Sequence, residues 1–117
     1  MRWDEAVAHA LTLPGTELST SYRQPAVKAA NGRTFLHVGH EPETSFVLSL
    51  DIGLVDMLME THPETFWQTP HYVGWPAVLV RYDSPDDDLV RETIGRAHQQ
   101  ALAGKPPRPR KPATPRA

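Results

Sequence analysis

The chain contains no cysteine. That excludes thiol catalysis, disulfide staples and thiolate-bound zinc, and it fits a reducing compartment. Long apolar runs are missing too: Pro76 to Val80, the longest, falls far short of the roughly 20 residues a membrane-spanning helix needs. Met1 to Leu13 carries Asp4, Glu5 and His9 where a secretory leader has a basic start and an apolar run. The expectation is a cytoplasmic protein without a membrane partner. No glycine-rich phosphate loop, G-x-S-x-G elbow or H-E-x-x-H pair occurs, and there is no internal repeat. Those absences remove the usual sequence signatures of nucleotide, hydrolase and zinc-protease sites.

The net charge of −2 hides a division. Residues 105–117 carry Lys105, Arg108, Arg110, Lys111 and Arg116 with no acid, interleaved with five prolines. Residues 1–104 hold all fourteen acids against seven basic residues, a balance of −7. An acidic body repels phosphate, whereas a basic tail attracts it. The sequence therefore divides into a domain over 1–104 and a tail over 105–117 whose proline content predicts neither helix nor sheet. A body of this length buries enough surface to fold without a staple or metal.

Trp3, Val7, Ala10 and Leu11 recur at helical spacing until Pro14-Gly15 breaks the pattern. Thr16 to Gln24 reads as a polar loop. Ala26–Ala30 and Thr34–Gly39 flank Asn31-Gly32, a strong hairpin signal. Ser45–Leu50 reads as a further strand, Ile52–Glu60 as a helix closed by Pro63, Phe66–Gln68 as a short strand and Val78–Tyr82 as the last one. Ser84 as N-cap, Pro85 at the first helical position and Asp86 to Asp88 in the first turn open the final helix, which Gly104 ends. The order α-βββ-α-ββ-α predicts a two-layer α+β domain, with an antiparallel sheet of about five strands and helices on one face.

Three stretches carry a resemblance: Leu13-Pro14-Gly15-Thr16-Glu17, then Gln24-Pro25-Ala26-Val27-Lys28 with Asn31-Gly32-Arg33, then Thr69-Pro70-His71-Tyr72 leading into Trp75-Pro76-Ala77-Val78-Leu79-Val80. Together they resemble the MmcQ/YjbR-like family over residues 1 to 102. The resemblance implies a double-wing, frataxin-like or secretion-chaperone-like fold and a DNA-binding role through paired sheet wings. That family has no established catalytic residues, so the resemblance implies none here. The chain departs from it at Val27 and at Ala97-His98, where aromatic residues are common.

Strand alternation gives the residue-level expectation. If Phe46, Leu48, Leu50, Val78, Val80 and Tyr82 face the helices, then Val47, Ser49, Leu79 and Arg81 face away. On the hairpin the same rule sends Lys28, Phe35 and His37 to that open face. Two cations, an imidazole and a ring suit phosphate contact with base stacking. Arg33 and the tail cations Lys105, Arg108, Arg110 and Lys111 would add to it. The segment Trp67 to Trp75, with His71, Tyr72 and Trp75, either lines a cleft or interface or plugs the junction between helix and sheet. The expected function is a non-enzymatic module that binds DNA. The alternative is a dimeric or chaperone-like adaptor for a protein partner, and a small-ligand site near His71, Tyr72 and Lys28 comes after it. His37 and His40 on a continuing strand would point to opposite faces, which argues against a metal, and no cofactor is expected.

Overall fold

The computed structural model describes residues 1–104. Its elements are α1 (Trp3–Ala10), β1 (Glu17–Ser21), β2 (Gln24–Lys28), β3 (Thr34–His37), β4 (Ser45–Ser49), α2 (Ile52–Thr61), β5 (Phe66–Trp67), a short 3-10 helix (Pro70–Tyr72), β6 (Ala77–Arg81) and α3 (Asp87–Ala103). The strands form one antiparallel sheet in the order β1-β2-β3-β4-β6-β5. The expected α+β class and two-layer arrangement hold, with one strand more than the sequence suggests. No helix among the described residues is long and apolar enough to cross a membrane.

The extra strand is β1. Glu17-Leu18-Ser19-Thr20-Ser21 has no apolar alternation because it is an edge strand with little to bury, so the sequence reads as a loop. Its turn also hides from inspection. Ser21 pairs with Gln24, leaving Tyr22 and Arg23 as a two-residue loop with φ of 52° and 68°. Two left-handed positions are what a type I′ hairpin turn demands, and Asn-Gly is their usual occupant. Here a tyrosine and an arginine take the strained backbone instead.

All three helices cover one face. Ala6 and Ala10 of α1, Val55 and Leu58 of α2, and Val90, Ile94, Ala97 and Ala101 of α3 pack on Val27, Leu36, Phe46, Leu48, Val78 and Val80. Helix α2 starts on Asp51, whose Oδ1 accepts from the Leu54 amide at 3.0 Å. Gln100 of α3 clamps the same residue, donating to Asp51 Oδ2 at 2.6 Å and accepting from the Asp51 amide at 2.8 Å. Helix α3 does not start where the sequence suggests. Its N-cap is Asp86, which accepts from the Leu89 amide at 3.0 Å. Ser84 is buried instead, 2.7 Å from Thr65 Oγ1, with its hydroxyl engaged there.

One irregularity decides a functional question. Val27 pairs with Leu36 and Lys28 with Thr34, so the register shifts and Phe35 has no partner opposite it. An extra residue in one strand interrupts alternation and re-aims a side chain. Phe35 accordingly joins Leu36 in the helix-side core, fully buried, with its ring edge-on to His98 of α3 at 5.4 Å.

Candidate functional site

The sheet face away from the helices is not bare. The segment after β5 folds back over it and seats Tyr72 on Val47 and Leu79, both fully buried, with Trp67 and Ala77 beside them. Pro70 opens the 3-10 turn, where a fixed φ and a missing N–H carry no penalty. Gly74, at φ 82°, reverses the chain. Gln68 braces both ends of the segment, donating to the Tyr72 carbonyl at 3.1 Å and to the Ala77 carbonyl at 2.8 Å. Trp67 and Tyr72 therefore pack on the helix-free face of the sheet and not at the junction between helix and sheet, because the segment folds back over Val47 and Leu79. Trp75 is different, for the residue stays 62% exposed.

Beside this plug lies a cleft of about 640 Å³, lined by Ser21, Tyr22, Gln24, His37, Val38, Gly39, His40, Ser49, His71, Tyr72, Trp75, Pro76 and Ala77. Tyr22 stands on one rim at the tip of the β1–β2 turn, 96% exposed, and Trp75 on another. The imidazoles are grouped within it. His40 meets His71 edge-on at 4.4 Å between ring centroids, and His71 meets Tyr72 at 4.9 Å. His37 and His40 thus share one side, contrary to the alternation argument, because β3 ends at His37 and Val38-Gly39 turns the chain before His40. Gly39 is required by proximity: a Cβ there would lie 2.7 Å from Val47 Cγ2 and 2.8 Å from Tyr72 Oη.

Burial holds His37 below the ordinary imidazole pKa, reinforced by the neighbouring His40 and opposed by the Val38 carbonyl 3.1 Å from Nδ1. Burial also raises the Tyr72 phenol. At neutral pH the floor is thus kept uncharged at His37 and Tyr72, and no lysine, arginine, aspartate or glutamate lines the cleft. Among the described residues no group of three histidines or carboxylates is placed to hold a metal ion.

The cationic strip expected on the open face does not assemble. Phe35 lies in the core under α3. Lys28 is in an ion pair with Glu17 at 3.1 Å, its cross-strand neighbour on the unforeseen β1. Arg81 lies over the Trp67 ring at 4.7 Å, and that indole donates to Ser45 Oγ at 2.9 Å. Arg33 lines a separate groove beside Gly104. His37, His71, Tyr72 and Trp75 do converge, and Tyr22 joins them unpredicted. Its one sequence signal was an aromatic ring in an otherwise polar stretch. Lys105, Arg108, Arg110 and Lys111 lie outside the described residues.

The acids are segregated as well. Asp4, Glu5, Asp51, Asp56, Glu60, Asp86, Asp87, Asp88 and Glu92 all sit in helices or at their N-caps, and among the strands only β1 carries an acid, Glu17. Nine of the fourteen acids thus belong to the helical layer, while Glu41 and Glu43 follow His40 at one end of the cleft.

A family model named YjbR matches residues 11–100 of this chain, most of its length. The chain belongs to the YjbR family. No curated protein matches it. The YjbR match spans every cleft-lining residue, from Ser21 to Ala77, and stops within α3. The cleft is thus built from the family's own segment of the chain, whereas the basic tail falls outside it.

Proposed function

We propose that this YjbR-family protein is a non-enzymatic binding module that engages DNA through unpaired bases, which enter the cleft between Tyr22 and Trp75. The observation that carries this reading is the pair of exposed rings lining a cleft that contains no lysine, arginine, aspartate or glutamate. Every base presents a π-face, so a stacking platform binds single strands with little sequence preference. The imidazoles of His37, His40 and His71 offer ring nitrogens to base edges, and the acids sit mostly on the opposite layer. The tail's cations supply the phosphate attraction that the cleft lacks. A purely binding role fits the imidazoles: His37 Nδ1 faces a backbone carbonyl, and no carboxylate lines the cleft to orient a catalytic base.

Fluorescence anisotropy with a single-stranded oligonucleotide and with its duplex, over a salt series, tests the proposal. The single strand should bind more tightly than the duplex. Trp75→Ala should cost about 1–3 kcal/mol, roughly five- to 150-fold in affinity. Equal binding of both forms, or an unchanged Trp75→Ala, overturns it.

A second reading has its own support. Leu18 is 62% exposed on edge strand β1, and Val73 is 68% exposed near Trp75. Such apolar exposure at a sheet edge suits a protein partner that adds a strand, including a second copy. Light scattering separates the two: a stable dimer with no affinity for oligonucleotide favours the adaptor.

A further inference from the structure

We propose that the proline-rich segment 105–117 of the same chain occupies this cleft when no nucleic acid is bound, so that the protein carries its own competitor. The inference rests on the cleft being a site for ring-stacked partners, and it adds regulation to that site. Three observations lead to it.

The first is where the segment begins. Helix α3 ends at Gly104, and Asn31 Nδ2 fixes that end, donating to the Ala101 carbonyl at 2.8 Å and lying 3.4 Å from the Gly104 carbonyl oxygen. Gly104 lines a groove of about 440 Å³ whose wall also includes Ser49 and Pro76. Both residues line the aromatic cleft too, so the groove at the end of α3 and the cleft share two wall residues.

The second is reach. Residues 105–117 extended as polyproline would span roughly 40 Å at about 3.1 Å per residue. Ser49 on β4 is level with Glu17 on β1, so the β1–β2 turn lies about three strand spacings across and about five residues along the strands, roughly 22 Å away. The segment can cross the whole cleft with residues to spare.

The third is chemistry. Pro106, Pro107, Pro109, Pro112 and Pro115 alternate with Lys and Arg. Proline-rich chains dock in grooves lined with Tyr and Trp because the extended helix loses little entropy on binding and its rings stack flat. Tyr22 and Trp75 provide such faces. The interleaved guanidinium groups can lie over the exposed rings, and no lysine or arginine of the lining repels them. Glu41 and Glu43, just after His40, place negative charge at that end. When bases displace the prolines, the same cations become available to phosphate.

The absence of native cysteine makes the test clean. A nitroxide on Ala113→Cys in the full chain is the sole thiol label, and paramagnetic broadening is read without nucleic acid. Expected is loss of the Trp75 indole N–H signal and of the Tyr22 and Gly39 amides, while the Trp3 indole persists. That loss should be independent of protein concentration. Replacing Pro106, Pro107 and Pro109 with glycine should restore the signals. Absence of selective loss, or loss that grows with protein concentration (a tail from a second copy), overturns the proposal. Because no oligonucleotide is present, that failure leaves the DNA reading standing, and failure to bind DNA leaves the docking result intact.

Discussion

Gly39 is the residue where stability and site meet, and its replacement gives a quantitative test of the Tyr72 plug. In Gly39→Ala the new methyl would sit 2.7 Å from Val47 Cγ2 and 2.8 Å from Tyr72 Oη. Both neighbours belong to the packed second face: Val47 is fully buried and Tyr72 is 8% exposed. Carbon atoms in contact prefer 3.5–4.0 Å, about 1 Å more than is available. Forcing a methyl into packed surroundings costs about 1–3 kcal/mol. For a domain of this size that lowers Tm by roughly 5–20 °C. Urea and thermal unfolding followed by circular dichroism read the change. Tyr72→Phe removes one of the two clashing atoms, so it should recover part of the loss in the Gly39→Ala background. Double-mutant coupling between touching residues is about 0.5–3 kcal/mol. A Gly39→Ala protein within about 0.5 kcal/mol of the parent, or strictly additive behaviour with Tyr72→Phe, would mean that Tyr72 is not seated as described.

Phe35→Ala should destabilise the domain by about 3–5 kcal/mol in urea unfolding, because it empties a core site; a surface-like cost below about 0.5 kcal/mol would restore Phe35 to the open face. Burial lowers the His37 pKa from 6.5 in the folded state, so the unfolded chain binds that proton more readily as pH falls. The stability from keeping His37 neutral is present above pH 6.5 and is lost as pH drops through the folded-state value. The urea midpoint should therefore decline on acidification below 6.5, and His37→Gln should flatten that part of the profile. Replacing Tyr22-Arg23 with Asn-Gly relieves two left-handed positions and should raise stability by about 1–2 kcal/mol. The same variant should weaken oligonucleotide binding, and a stabilised protein that binds as before would exclude Tyr22 from the site.

The misplaced residues share a physical cause. Alternation assigns faces correctly on β4 and β6, where pairing runs without a break from Ser45–Arg81 to Ser49–Ala77. It fails on β3 because one unpaired residue re-aims Phe35, and no local preference in Thr34-Phe35-Leu36 announces that shift. It fails at His40 because the strand has ended. Lys28 was placed on the correct strand, but its charge is engaged by a neighbour on β1, which is written in polar residues. Of the cleft, the Trp67–Trp75 segment was conspicuous as a concentration of rings around proline and glycine; that its Tyr72 would plug a sheet face while Trp75 stayed outside was not.

By itself the sequence determined the fold class, the family likeness, the helix boundaries near Pro14, Pro63 and Gly104, and the division into acidic body and basic tail. These depend on periodicity, turn chemistry and charge, which are local or additive properties of the chain. Tertiary structure alone decided which side chains share a surface. Ion pairing, ring stacking and burial act between residues far apart in sequence, and a one-residue register shift is enough to exchange an expected stacking ring for a core residue.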